Sequence, residues 1–423
     1  MRRLLLPALL TGTLVFARLT VLPELSDPTG APLPSGLHLA IPPLYFAAAP
    51  LFTLWDGVSM LSLTRLKGFL AGFAALYVVW RVIAVTLALR GPNLGARHAV
   101  PLRVMGREVV LLIAALVAFV AFVFVGAVWH RPMLALAGVP TDAAVVDFHS
   151  HTNASHDVTG LVEGFDLAAN LRWHARAGFD AVFITDHNTT DGWRSEAPGG
   201  SIGPSACPGT EVSAKDAHIV LLGDSAEVDR RLYDRDLNGV LTLLREAGPR
   251  YNALSVASLP EYERNHWQHL GQFIAAGLDG FEVVNASPKA NEISRARRDS
   301  VIAMARAANR FIVGVSDQHG WGATSMTWTL VTVPGWRARP AAICADVLTA
   351  LRTGGFGSTR IVERPRVRSD DPWPGWLTPV AVLWQTWRGM PASLTWSWVG
   401  WIWLPVALGS LRATRRGQRV TGG

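Results

Sequence analysis

At 423 residues, half of them apolar and with a positive mean hydropathy, the chain is too apolar for a purely soluble enzyme and long enough for two or three domains. The formal net charge of +7 resides in the flanks: residues 1–139 carry 11 Lys/Arg against 4 Asp/Glu and residues 372–423 carry 5 against none, whereas 140–371 carries 23 against 28. A basic balance confined to arginines that bracket apolar runs excludes a nucleic-acid binder as its explanation, and the mildly acidic middle suits cations.

In chain order, apolar stretches at 4–22, 38–55, 68–89 and 108–129 each approach the ~20 residues that a helix needs to cross hydrocarbon. The last is uncharged after Glu108 and ends on Trp129-His130-Arg131, an interfacial signature. The second is interrupted by Pro42, Pro43 and Pro50, and the third carries Arg81 at mid-span, which must face protein or water. The first lacks a small-residue cleavage site and reads as an anchor. Residues 1–139 therefore form a transmembrane region of up to four helices in contact with the lipid bilayer.

The middle, 140–366, alternates short β-branched runs with helical stretches. Strands are expected at Ala144–His149, Ala181–Asp186, His218–Leu222, Leu254–Ser258, Gly280–Val284, Phe311–Ser316 and Trp328–Val333. Helices are expected at 163–177, 235–247, 261–277, 292–309 and 339–353, the last ended by Gly354-Gly355. Strand then helix, repeated, predicts a parallel sheet with helices outside, open or closed into a barrel. Cys207 and Cys344 lie far apart without a CxxC spacing, which predicts two buried thiols and not a disulfide framework.

Residues 367–423 form a C-terminal segment holding eight of the seventeen tryptophans, counting Trp373, and close on Arg412, Arg415, Arg416 and Arg419. This predicts an interfacial stretch and a final crossing near 391–411, with an amphipathic cover over the middle domain as the alternative. Arg90, Arg97, Arg103 and Arg107 in the loop 90–107, together with the tail arginines, place those segments in the cytoplasm and the middle domain in the periplasm or exterior. Arg2, Arg3, Arg65 and Lys67 oppose that orientation if all four N-terminal runs span.

Polar residues gather where apolar strands stop. His149 and His151 share one face of a strand end. Phe311–Ser316 runs into Asp317-Gln318-His319, and Ala181–Thr185 into Asp186-His187-Asn188. Glu211 follows a Pro-Gly-Thr turn, and His218 opens the next apolar run, which fits the pattern less simply. In barrels and open α/β sheets, functional side chains collect at C-terminal strand ends.

The order and wording of these motifs resemble the polymerase and histidinol phosphatase (PHP) domain of metal-dependent phosphoesterases. Asp147-Phe148-His149-Ser150-His151-Thr152 with Ser155-His156-Asp157 resembles its first motif, and Gly178–Ala181 to Thr185–Asn188 its second. Gly209-Thr210-Glu211-Val212 with Ala217-His218 resembles the third, and Ser316–His319 the last. The resemblance implies a distorted (β/α)7 barrel holding two or three divalent cations, Mn, Zn or Fe, flanked here by N-terminal and C-terminal transmembrane helices. It further implies that His149, His151, Glu211 and Asp317 hold one metal, that Glu211 bridges to a second held by His218, and that Asp157, His187 and His319 hold a third. Glu211, His218 and Asp317 are the expected catalytic residues. One departure stands out: a His before Pro is usual near 254–260, whereas this chain has Ser258-Leu259-Pro260. The second metal is then weaker, absent, or completed by His266 or His269, which otherwise read as a solvated or membrane-proximal helix face.

Imidazole and carboxylate donors suit Zn, Mn or Fe better than Ca, and a carboxylate bridging two cations near ~4 Å allows both ends of an in-line displacement to be stabilised, with a metal-bound hydroxide as nucleophile. The implied activity is a phosphoesterase acting on a phosphate monoester, whether nucleotide, sugar phosphate or lipid-linked phosphate. Two alternatives stay open: a hydrolase of non-phosphate esters, and a membrane-tethered metal-binding sensory module without turnover. His174 is expected at the surface. Arg295, Arg297, Arg298 and Arg360 are weak phosphate candidates, each more simply read as solvated.

Overall fold

Two short strands, β1 (His38–Ala40) and β2 (Ala135–Ala137), pair antiparallel and bring the N-terminal region back to the point where the middle domain begins. Nine more strands make one sheet: β3 (Ala143–Ser150), β4 (Ala181–Ile184), β5 (Ser205–Ala214), β6 (Ala217–Leu222), β7 (Leu254–Ala257), β8 (Gly280–Asn285), β9 (Phe311–Val315), β10 (Thr327–Thr332) and β11 (Thr359–Glu363). The computed structural model describes residues 2–89, 102–158, 164–194, 203–223 and 228–421.

The strand order is β11-β10-β3-β4-β5-β6-β7-β8-β9. From β3 to β9 the sheet curls until its ends meet: Asp317 N–H donates to the His149 carbonyl at 2.9 Å and His151 N–H to that of Gln318 at 3.0 Å. The result is a nearly closed, barrel-like sheet, to which β10 and β11 add antiparallel strands beyond β3. It is mixed and not all parallel. Pairings β3–β4–β5 and β7–β8–β9 are parallel, while β5–β6–β7 is antiparallel. The reason is local: Lys215 and Asp216, at φ +43° and +59°, make a two-residue turn, and so short a connection can only return the chain antiparallel.

Four helices expected on the outside form close to their predicted places, at Leu167–Ala177, Leu237–Tyr251, Arg295–Ala307 and Ile343–Gly354. Their starts are set by side-chain caps. Asp166 accepts from Ala169 N–H, Asp236 from Gly239 and Ser294 from Arg297. Gly178, at φ +88°, ends the first of these helices in the left-handed conformation. The stretch 261–277 is not one helix. It breaks into Glu261–Asn265, a 3-10 turn at 267–269 and Leu270–Ala275.

Two helices among the described residues are long and apolar enough to cross a membrane, Leu63–Ala84 and Gly106–Val128. They lie antiparallel, with the Phe73 and Phe119 rings stacked at 3.7 Å and Arg81 Nε donating to Glu108 Oε2 at 2.6 Å. Arg81 thus meets a carboxylate, as its mid-span position demands. The run 38–55 is no span: its prolines divide it into β1, Pro43–Ala47 and the start of Ala49–Ser59. The first run forms the helix Arg2–Arg18, and the last segment the helix Leu394–Thr421. Arg90 and Arg97 fall outside the described residues, as do the side chains of Arg103 and the four tail arginines.

The tryptophans of the tail are not all interfacial. Trp387 and Trp398 are buried edge to face at 5.5 Å, and Trp403 Nε1 donates to Thr11 Oγ1 at 3.0 Å. A buried ionic knot joins the N-terminal region to the barrel. Asp56 accepts from Tyr45 Oη at 2.8 Å, Arg131 Nη2 at 2.9 Å and Arg364 Nη2 at 3.0 Å. Cys207 and Cys344 are disulfide-bonded, contrary to the sequence expectation. β5 and the helix Ile343–Gly354 lie side by side, and this brings positions 137 residues apart to a Cα separation of 5.5 Å.

Candidate metal centre

All eight residues named from the sequence as metal ligands meet at the end of the barrel where β3, β4 and β9 finish. His149 Nε2 lies 3.0 Å from both His151 Nε2 and Glu211 Oε2. Asp317 Oδ1 completes that cluster at 3.3 Å from His151 Nε2 and 3.5 Å from His149 Nε2. The other oxygen of Glu211 is 2.9 Å from His218 Nδ1, and Oε2 is 3.3 Å from His187 Nδ1. Asp157 Oδ2 lies 3.1 Å from His187 Nε2 and 3.0 Å from His319 Nε2. Three groups of potential ligand atoms result, each within 4.8 Å: His149, His151 and Glu211; His187, Glu211 and His218; and His151, Asp157, His187 and His319.

The fold explains why His218 belongs here although it opens a strand. β5 runs past the end of β4, so that Glu211 bridges to His187 beyond the sheet proper. Because β6 runs back along β5, pairing Ser213 with His218, the first residues of β6 lie at the same mouth as the last residues of β4. Asp317 takes φ +47° and Asn188 φ +57°, left-handed turns that redirect the chain at two strand ends, a conformation Asp and Asn accept more readily than most residues.

A second layer holds the ligands in place, and the sequence reading missed most of it. Glu282, fully buried in β8, takes His149 Nδ1 at 2.6 Å and is itself fixed by Leu259 N–H at 2.8 Å and Asn285 Nδ2 at 2.9 Å. The signal was available: Phe281-Glu282-Val283-Val284 sets a lone carboxylate inside an apolar strand. His174 is buried rather than at the surface, because Asp147 Oδ2 lies 2.8 Å from its Nε2. Asp147 in turn accepts from the backbone N–H of Ser316 at 3.0 Å and so ties β3 to β9. Thr152 donates to both oxygens of Asp186 at 2.6 and 2.7 Å.

Ser258 stands where a ligand was expected, and its hydroxyl reaches Leu259 O and Glu282 Oε2, each at 3.3 Å. Neither His266 nor His269 replaces it. His266 Nε2 is engaged by the Lys215 carbonyl at 2.9 Å, and His269 lies beside Gln268. The arginine candidates are committed elsewhere: Arg295 to Asp370 and Asp371, Arg297 to Glu263, Arg298 to Glu363, and Arg360 to Asp27.

Burial and mutual charge pull the site's proton affinities apart. Burial opposes ionisation of Glu211, but His149, His187 and His218 outweigh it and hold the carboxyl well below the usual range. For Asp317, His149 and His319 likewise outweigh burial and lower it. His151 is pushed down to about 4, chiefly by burial and then by the neighbouring imidazole of His319. His218 and His319 go the other way, to about 9, because Glu211 and Asp317 respectively outweigh their burial.

This donor set fits divalent cations. With Nδ1 of His149 donating to Glu282 and Nδ1 of His319 to the Asp317 carbonyl at 2.8 Å, both rings in their neutral form present bare Nε2 lone pairs to the cluster. His187 Nδ1 is buried without a hydrogen bond, although it faces Glu211. Lone pairs gathered this closely, with carboxylates among them, need positive charge. A cavity of about 600 Å³ opens over the cluster and is lined in part by Glu211, His218, Asp317 and His319.

No family model matches the chain, and neither does any curated protein. Among solved structures, PsfC from Pseudomonas syringae PB-5123 aligns at 18% identity and a TM-score of 0.33, over 50% of this chain and 100% of that one. An amidohydrolase from Chromobacterium violaceum, with sulfate bound and no metal, aligns at 15% identity and a TM-score of 0.26, over 41% of this chain and 87% of that one. Likeness at this level is too distant to assign an activity, and the functional reading rests on the site itself.

Proposed function

We propose that this chain is a membrane-anchored, metal-dependent phosphoesterase that hydrolyses a phosphate monoester. The observation that carries the reading is the convergence of His149, His151, Glu211 and Asp317 on one point, with Glu211 reaching on to His218 and with Asp157, His187 and His319 beside them. Nitrogen and carboxylate donors in these numbers suit Zn, Mn or Fe, two or three ions in all. Such ions, when bound, supply an acidified water and offset the charge that builds on phosphoryl oxygens.

The chain's own residues do the positioning. Glu282 keeps the proton of His149 on Nδ1, so that Nε2 faces the cluster. Glu211, placed between His149 and His218, offers an oxygen to each side. Glu211, His218 and Asp317 line the cavity and are the residues assigned to the reaction centre. The resemblance of the four motifs to the PHP domain supports phosphate as the reacting group. One observation favours a second reading, hydrolysis of an uncharged ester: Lys289 is the single Lys or Arg lining the cavity among the described residues.

The catalytic domain is assigned to the outer face of the membrane. The Cys207–Cys344 bridge supports that side, since disulfides persist in oxidising compartments. The test is the metal content of the purified full-length protein, with turnover of phosphate monoesters and carboxylic esters after loading with Mn or Zn. Wild type is expected to bind at least one ion per chain and to cleave a phosphate monoester, and His149→Ala to lose both properties. Full activity in that variant, or a wild type that binds metal and turns over nothing, overturns the reading.

A further inference from the structure

The mouth of the barrel does not open to bulk water on all sides. The loop after β8 is bonded to the start of one apolar helix, with Leu63 N–H donating to the Pro288 carbonyl at 3.1 Å and Thr64 N–H to Glu292 Oε1 at 2.6 Å. The loop after β9 is bonded to the end of the other. There Gly322 N–H donates to the Ala127 carbonyl at 2.7 Å, and Arg131 Nη1 joins the carbonyls of Gly126 and Gly322. The mouth that carries the donor cluster is therefore tied, through the loops after β8 and β9, to the ends of the two candidate spans.

The cavity follows from that contact. From Glu211, His218 and Asp317 it continues without interruption to Leu63 and Leu66 on one helix and Val123 and Ala127 on the other. In the antiparallel pair these residues lie at the ends nearest the barrel, since Phe73 meets Phe119 and Arg81 meets Glu108 farther along. Lys289 lines the cavity from an exposed position on the loop that holds Leu63. A small, wholly polar ester would gain nothing from such a wall. A hydrocarbon chain would gain with each methylene removed from water.

From this we infer that the substrate is a membrane-resident amphiphile, a long-chain phosphoester whose headgroup reaches the donor cluster while its hydrocarbon lies against Leu63, Leu66, Val123 and Ala127. The inference rests on the hydrolase reading and narrows its substrate class. In the reaction, water adds across the ester P–O bond: its oxygen bonds to phosphorus, the alkoxide oxygen leaves with a proton, and inorganic phosphate and a long-chain alcohol result. Entry is lateral, from the bilayer.

The experiment uses the full-length, metal-loaded protein in lipid nanodiscs and compares kcat/KM for dodecyl phosphate and propyl phosphate. A preference of at least tenfold for the dodecyl ester is expected, falling toward unity in Leu66→Trp and in Ala127→Trp, which fill the apolar end. A second measurement does not depend on turnover or on the variants folding. A dodecylphosphonate with a photoreactive diazirine at its chain end is irradiated with the wild type and is expected to label peptides spanning 63–66 or 123–127. Cleavage of both esters at equal kcat/KM, or labelling confined to other peptides, overturns the inference and leaves the hydrolase standing. Cleavage of neither overturns the phosphoesterase reading, and the labelling still decides whether the cavity takes the chain.

Discussion

Glu282 shows how much of a candidate metal site is made by residues outside its donor groups. It occupies the partner position of His149, inside an apolar strand where an unpaired carboxylate would be costly, and three further hydrogen-bonding groups hold it there. Glu282→Gln keeps the size but removes the charge that orients the imidazole and raises its basicity. The expected outcome is a fold unchanged by circular dichroism and a metal affinity about 10–100-fold weaker, measured by competition with a chelator. An affinity within twofold of wild type would show that His149 is oriented by something else. His174 and Asp147 make a second such pair, and they explain why a histidine on the amphipathic Leu167–Ala177 helix is buried. The sequence expectation placed it at the surface, because nothing local reveals a carboxylate 27 positions away.

Among elements, one close packing lies between the Leu63–Leu89 helix and the C-terminal segment. Gly68 and Gly72, one turn apart, let the 3-10 turn Gly375–Leu377 approach so near that a Cβ on Gly72 would lie 2.2 Å from the Trp376 carbonyl oxygen. The obstacle is backbone and cannot rotate away. Gly72→Leu should therefore displace the turn at a cost of about 1–3 kcal/mol, the range for overpacking a well-filled site. Limited proteolysis between 365 and 395 would report it, as would a lower Tm in detergent. A Tm equal to wild type would mean that the C-terminal segment is not seated against this helix. Gly126 serves the same end on the neighbouring span, where the Trp55 indole fills the space a side chain would need.

For the whole molecule, the disulfide and the ionic knot at Asp56 link segments far apart in sequence. Cys207–Cys344 closes a loop of 137 residues around most of the barrel, and removing a bridge of this kind from a folded domain costs about 2–5 kcal/mol. Cys207→Ser with Cys344→Ser is expected to lower the Tm by several degrees and leave metal stoichiometry unchanged, because neither cysteine belongs to the ligand groups. Alkylation of the wild type before and after reduction, read by mass, would count zero and then two reactive thiols. Two reactive thiols before reduction would remove the bridge and, with it, the support it lends to an oxidising compartment.

The sequence by itself picked out the donor residues that gather at the mouth and two of the runs long and apolar enough to span, 68–89 and 108–129. Each donor is announced by a polar residue at the end of an apolar strand or beside a tight turn, and the apolar runs by their length and lack of charge. Most strands and outer helices were legible for the same reason, since period and caps are local signals. The tertiary structure alone decided the antiparallel β5–β6 return that brings His218 to the mouth, the pairings His149–Glu282, His174–Asp147 and Cys207–Cys344, and the seating of that mouth on the ends of the spans. The physical reason is common to all of these: each is a contact between segments remote along the chain, whose free energy depends on what the folded neighbour supplies, and no local pattern in either segment records it.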